Sequence, residues 1–231
     1  MKTIILAGGF GTRLQSVLKD IPKPMADIGG TPFLALLMDN MLRHGTDEFI
    51  LCVSYLKEKI IDFFGNSYRE RPVKYSIEEE PLGTGGAIKQ AFDQFGIDRA
   101  IVINGDTFVQ MNYAQFYSEN ETQMLSIALK KVSNASRFGK VETNGQYITR
   151  FCEKSSHTQE GLINAGIYIV HKHLWEYAPS SPKFSFEKDI LEKHIAKLRV
   201  PFFVADDYFI DIGVPESYQK ACRELKSVIH G

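Results

Sequence analysis

Three cysteines, one tryptophan and no long apolar run set the first limits on this chain of 231 residues. Cys52, Cys152 and Cys222 are odd in number and far apart, with no paired spacing, which excludes a disulfide framework and a cysteine zinc site. They are expected as reduced core thiols of a cytoplasmic protein. Apolar runs of only a handful of residues leave nothing to span a bilayer. Charge of either sign is not in surplus: 27 Lys and Arg stand against 28 Asp and Glu, for a net charge of −1. With a pI of about 6.6, there is no electrostatic case for nucleic acid or an anionic membrane as partner. The six histidines form no metal-ligand spacing, and none is assigned a catalytic role. A strand pattern begins directly after Met1-Lys2, so no signal peptide is expected. Internal repeats, low-complexity tracts and Pro/Gly/Ser-rich linkers are missing too.

What is present reads as one domain of alternating strands and helices. Thr31-Pro32 looks like a helix cap followed by a proline at the first helical position. Leu34, Leu37, Met38, Met41 and Leu42 then keep helical period until Gly45. A strand (49–53), a helix (57–64), a strand (73–77), a helix (86–95) and a strand (100–104) follow. This alternation predicts a parallel sheet covered on both faces. The second half is mixed. Asn144-Gly145 is a hairpin signal between strands at 140–143 and 147–153. A strand (162–170), a helix (185–196), short strands near Val200 and Tyr208, and a last helix from Pro215 complete it.

The most informative stretch is Leu6-Ala7-Gly8-Gly9-Phe10-Gly11-Thr12-Arg13-Leu14, followed by Pro22-Lys23-Pro24-Met25. A short apolar strand runs into a glycine-rich loop, where backbone N–H groups can converge on an anion. Arg13 adds a guanidinium fork suited to phosphate oxygens, and Lys23 a compact charge on a proline-stiffened segment. Both are expected to face solvent. Two better-known glycine loops are excluded. Leu14 stands where a dinucleotide fingerprint needs its third glycine, and no Gly-Lys-Ser/Thr closes a P-loop. Asn104-Gly105-Asp106 closes an apolar strand, and ligands gather outside the carboxyl ends of such strands. Asp106 can there hold Mg²⁺ through oxygen, or simply cap a turn. Phe209-Ile210-Asp211-Ile212-Gly213 offers a second carboxylate at a strand end.

In this order along nearly the whole chain, these blocks resemble the sugar-1-phosphate nucleotidyltransferases, which join a nucleoside triphosphate to a sugar 1-phosphate. The resemblance implies an α/β fold: a Rossmann-like three-layer nucleotidyltransferase fold with a mostly parallel mixed central sheet. It divides the domain into a nucleotide-binding half (about 1–112) and a sugar-binding half (about 113–231). It also implies that Asp106 and Asp211 share a catalytic Mg²⁺, with Arg13, Lys23 and Asp106 catalytic. Leu6, Ala7, Gly8, Gly9, Gly11, Thr12 and Gly105 are the implied nucleotide-binding residues of the first loop and of the end of the strand at 100–104.

Glu78-Glu79-Glu80-Pro81-Leu82-Gly83-Thr84-Gly85-Gly86 looks like the base-reading loop of the GTP-using members of that family, with Gly83, Gly85 and Gly86 allowing close approach to a ligand. Guanine presents two donors, N1–H and the 2-amino group, which one carboxylate accepts together. Alternation places Glu78 and Glu80 on one side of an extended segment, and Glu80, beside Pro81, Gly83 and Thr84, is the favoured reader. On the sugar side, Gly139, Glu153-Lys154 and Asn164-Ala165-Gly166 match the family's sugar-phosphate elements. Cys152 and the lack of a proline after Lys154 depart from its usual pattern.

Within the family, Phe209-Ile210-Asp211-Ile212-Gly213-Val214-Pro215-Glu216 and the short length look like the heptose 1-phosphate guanylyltransferases, which serve bacterial surface polysaccharides. The substrates implied are GTP and a sugar 1-phosphate. A mannose-1-phosphate enzyme, a UTP- or dTTP-using enzyme and a non-catalytic nucleotide sensor stay open, as does a homo-oligomer. A NAD-dependent oxidoreductase would need the glycine missing at Leu14.

Overall fold

The computed structural model describes residues 1–9, 11, 14, 18, 20–136, 138–152, 160–205 and 207–230. The elements in chain order are β1 (Lys2–Leu6), α1 (Phe33–Arg43), β2 (Glu48–Val53), α2 (Lys57–Phe64), β3 (Ser67–Tyr68), β4 (Arg71–Ile77) and α3 (Gly83–Phe95). Then come β5 (Arg99–Asn104), β6 (Thr107–Val109), α4 (Tyr113–Glu119), β7 (Leu125–Val132), β8 (Lys140–Asn144), β9 (Tyr147–Cys152) and β10 (Gly161–His171). A π-wound turn (Phe186–Glu192) leads into α5 (Lys193–Leu198), followed by β11 (Phe202–Val204), β12 (Phe209–Asp211) and α6 (Pro215–His230).

The central sheet runs β11-β7-β10-β5-β1-β2-β4-β3. β5, β1, β2 and β4 are mutually parallel, as the alternating pattern requires. β10 enters antiparallel to both β5 and β7, which makes the sheet mixed. Side chains on successive strand residues point to opposite faces, and the core divides accordingly. Ile5, Phe49, Leu51, Ile101, Ile103, Ile167 and Ile169 pack with the buried faces of α1, α2 and α6. Ile4, Ile50, Ala100, Val102, Tyr168 and Val170 pack on the other face with Ala87, Ile88, Ala91 and Phe92 of α3 and with Ile190, Leu191 and Ile195. Continuous apolar strands buried on both faces are what a covered parallel sheet demands.

Three expectations need correction. Thr31 does not cap α1: the helix opens at Phe33 after Pro32, which is extended (φ −57°, ψ 139°) and makes no side-chain cap. Pro32 is held in a bridge to Asp27, and the amide of Phe33 donates to Ala26 O at 2.9 Å, so the first helical N–H is satisfied by backbone. The stretch 185–196 is not a plain helix, since Phe186–Glu192 is π-wound before α5 begins. Finally, Cys52 is a buried thiol whose pKa burial pushes up, but Cys222 lies exposed on α6. Among the described residues no helix is long and apolar enough to cross a membrane.

Candidate active site

β1, β5 and the loops after them open onto two cavities that share one residue. The first, about 280 Å³, is lined by Leu6, Gly9, Gly11, Lys23, Pro24, Thr84, Asn104, Gly105, Asp106 and Gly213. The second, about 230 Å³, is lined by residues that include Asn104, Thr107, Gly139, Asn164, Gly166, Tyr168, Glu187 and Asp211. Of the residues expected to meet the nucleotide, Leu6, Gly9, Gly11, Thr84 and Gly105 fall on the first, and of those expected to meet the sugar, Gly139, Asn164 and Gly166 fall on the second. Asn104, the last residue of β5, stands between them, and its Oδ1 is buried with no partner among the described residues. A buried acceptor left unpaired is costly, so this oxygen is set for a donor brought by a ligand. Ala7 of the first loop is buried, and its amide donates to Cys52 O at 2.8 Å. Gly8 packs on Ser54 and Glu78. Thr12 and Arg13 lie outside the described residues.

The charged groups meet at the junction. Lys23 opens a short 3₁₀ turn, Lys23–Met25, behind Pro22. Its Nζ donates to Asp106 Oδ2 at 2.5 Å, and only 10% of the side chain is exposed. The expected solvent-facing lysine is therefore a largely enclosed ion-pair partner. Thr107 Oγ1 donates to the other oxygen, Asp106 Oδ1, at 3.0 Å. Asp211 arrives by strand pairing: β12 runs antiparallel to β6 with Asp211 opposite Thr107, and Ile212 N donates to Asp106 O at 2.9 Å. A Cβ on Gly213 would lie 2.5 Å from Asp211 Oδ1 and 3.2 Å from Lys23 Nζ, so ammonium and second carboxylate flank the same glycine. Among the described residues no cluster of three or more His, Cys, Asp or Glu forms a metal cage. Two carboxylates nonetheless suit Mg²⁺, which takes hard oxygen donors and is commonly held by one or two carboxylates with substrate phosphates. The donor set fits that ion.

The glutamate run does not have the expected geometry. β4 ends at Ile77, and the chain bends at 79–80 instead of staying extended. Glu78 is buried, with Oε2 accepting from Leu82 N at 2.9 Å, while Glu80 and Pro81 are exposed and outside the lining of either cavity. Burial raises the Glu78 pKa, and the Leu82 amide opposes that rise. Glu79, 85% exposed, pairs loosely with Lys57 at 3.6 Å. The glycines of α3 also serve a different neighbour from the ligand expected. A Cβ on Gly85 would lie 2.3 Å from the Phe184 ring, and one on Gly86 would lie 2.3 Å from Pro182 O. Their amides donate to Phe184 O at 3.1 and 3.3 Å. The close approach is to the 182–186 segment, through the Phe184 ring and the Pro182 carbonyl, and within 83–86 only Thr84 lines the nucleotide cavity.

On the sugar side, Asn164 is occupied internally: Oδ1 accepts from Gly166 N at 2.9 Å, and Nδ2 donates to Tyr168 Oη at 2.7 Å. Gly166 sits at φ +73°, with its Cβ position 2.6 Å from Asn104 Nδ2, so a side chain there would collide with the shared asparagine. Glu153 and Lys154 lie outside the described residues. Glu187, which the sequence reading did not single out, lines the sugar cavity. Its Oε2 accepts from Thr84 Oγ1 at 2.6 Å and from Ser185 Oγ at 3.0 Å. Burial, and next the negative charge of Glu187, hold the Tyr168 phenol well above its ordinary pKa.

The family model for nucleotidyl transferases matches residues 2–228 of the chain. The chain is 42% identical over 231 residues to a D-glycero-alpha-D-manno-heptose 1-phosphate guanylyltransferase of Aneurinibacillus thermoaerophilus, covering 99% of this chain and 100% of that one. It is 43% identical over 218 residues to the protein of the same name from Campylobacter jejuni, covering 94% and 97%. Among solved structures, HddC from Yersinia pseudotuberculosis aligns at 42% identity with a TM-score of 0.86, over 97% of this chain and 99% of the other. The same protein complexed with GMP-PN aligns at 41% identity with a TM-score of 0.85 and the same coverage.

Proposed function

The chain belongs to the nucleotidyl transferase family, and on that basis we propose that it transfers GMP from GTP to D-glycero-α-D-manno-heptose 1-phosphate, giving a GDP-heptose and pyrophosphate. The observation that carries the reading is the pair of cavities meeting at Asn104, with Lys23, Asp106 and Asp211 gathered where they join. Identity of 42% and 43% over nearly the full length to two heptose 1-phosphate guanylyltransferases supports the choice of base and sugar.

The reaction needs no nucleophilic side chain. A phosphate oxygen of the sugar 1-phosphate attacks the α-phosphorus of GTP; that P–O bond forms as the bond from the α-phosphorus to the bridging oxygen breaks, and pyrophosphate leaves. The difficulty is to align two anions and to stabilise the charge that develops between them. The loop of Gly9 and Gly11 receives the triphosphate, with Arg13 drawing on the leaving pyrophosphate. Lys23 reaches the α-phosphate by releasing Asp106. Lys154 and Glu153 hold the sugar phosphate and hydroxyls, and Gly139 lets the sugar lie against backbone. Asp106 and Asp211 would hold Mg²⁺, which when bound neutralises α-phosphate charge. Glu78 is committed to shaping its loop, so the guanine edge falls to Glu80. A cytoplasmic setting is the one that supplies GTP, a triphosphate that does not cross a bilayer unaided. The product is a donor for surface polysaccharide.

Phosphorus NMR of the purified protein with GTP, magnesium and the heptose 1-phosphate tests this. GDP-sugar and pyrophosphate should appear in equal amounts. Release of phosphate without a GDP-sugar signal would refute transfer.

A further inference from the structure

Resting on that reading, we propose that Glu187 determines sugar specificity: its carboxylate accepts ring hydroxyls of the incoming pyranose 1-phosphate, and its tie to Thr84 joins the sugar and nucleotide subsites. Glu187 lies in the π-wound turn that opens at Ser185, and it lines the 230 Å³ sugar cavity. One of its oxygens is spoken for. Oε2 takes the hydroxyl protons of Thr84 at 2.6 Å and Ser185 at 3.0 Å, while Phe186 N donates to Thr84 Oγ1 at 2.9 Å. The side chain is thereby fixed from two directions. The other oxygen, Oε1, receives no donor among the described residues.

A carboxylate is an acceptor only, with about four lone-pair positions, so a fixed one facing a cavity asks for O–H or N–H donors. Hydroxyls of a sugar supply them. The phosphate end of the substrate does not, because two anions would repel; Glu187 therefore meets the ring. Asn164 cannot take this task alone, since its Oδ1 and one amide proton already serve Gly166 and Tyr168. Thr84 lines the nucleotide cavity, so the hydrogen bond that orients Glu187 starts from the nucleotide side.

Glu187→Gln separates recognition from scaffolding. The amide oxygen can still accept from Thr84 and Ser185, but an NH₂ group then faces the sugar hydroxyls in place of an acceptor. We expect KM for the sugar 1-phosphate to rise about ten- to a hundredfold while KM for GTP stays within about twofold. The wild type should lose a similar factor on one monodeoxy sugar 1-phosphate, and Glu187→Gln should not distinguish that analogue from the parent. Glu187→Asp, which shortens the reach while keeping the charge, should show the same sugar-specific KM rise and replaces the amide variant if that one does not fold. An unchanged sugar KM in the variants, or equal losses on every deoxy analogue, would overturn the assignment. Failure of the wild type on every sugar 1-phosphate would instead overturn the function on which it rests.

Discussion

Lys23 and Asp106 hold each other at 2.5 Å, beside the glycine that also carries Asp211's hydrogen bond. The lysine ammonium therefore supplies positive charge where a divalent ion would supply it once the triphosphate draws the lysine away. Lys23→Met should weaken turnover about a hundred- to a thousandfold and yet tighten Mn²⁺ binding to the free protein, because Asp106 loses its counter-charge. Electron paramagnetic resonance titration with Mn²⁺ checks this; weaker metal binding would mean that lysine and metal do not compete. Glu78 gives a second test. Its raised pKa means that the folded state binds the proton more tightly than the unfolded state, so its contribution to stability is greatest below the ordinary carboxylate pKa and falls as pH rises through the folded value. Glu78→Gln keeps an acceptor for Leu82 N and removes the buried charge. It should melt higher than the wild type at pH 7, with the gap closing near pH 4.5. At this scale the sequence exposed the charged groups but not their pairing. Glu187 passed unnoticed because an acid in the first turn of a helix is ordinary dipole chemistry. Only the bend after Ile77 shows that Glu78 and Glu80 part company.

Elements were more legible than residues. Period and caps place α2, the hairpin around Asn144-Gly145 and the start of α6 directly, because Gly65 (φ +57°), Gly145 (φ +56°) and Pro215 punctuate the chain where the backbone must turn. β7 was missed although Leu125, Ile127, Ala128 and Leu129 are buried in it. Its role comes from pairing with β10 and β11, which is non-local. The glycines opening α3 were read as a place of close approach to a ligand, but the group that approaches Gly85 and Gly86 is the 182–186 segment, through the Phe184 ring and the Pro182 carbonyl. Gly86→Ala should therefore act through that contact. With Pro182 O only 2.3 Å from the new Cβ, the segment must move, at a cost of about 1–3 kcal/mol. Tm should drop by about 2–4 °C per kcal/mol. KM for the sugar 1-phosphate should rise with it, since Glu187 follows the segment. A stable variant with unchanged KM would separate the segment from the site.

Across the whole molecule, the site exists because the sheet brings distant strand ends together. β1, β5 and β10 place Leu6, Asn104 and Gly166 side by side, and the small β6–β12 sheet delivers Asp211 to Asp106. The two aspartates should then behave as a unit. Asp106→Asn and Asp211→Asn should each raise the magnesium needed for half-maximal activity, and the double variant should be little worse than the worse single one. Additive losses in a magnesium titration would mean separate roles. The central claim is guanylyl transfer, and the most direct measurement is kcat/KM for pyrophosphate release across GTP, ITP, UTP, dTTP and CTP with heptose and mannose 1-phosphates. GTP with the heptose 1-phosphate should lead. ITP, lacking only the 2-amino donor, should fall about ten- to a hundredfold behind GTP, with the pyrimidine nucleotides lower still. ITP equal to GTP, or a preference for UTP, would contradict the account.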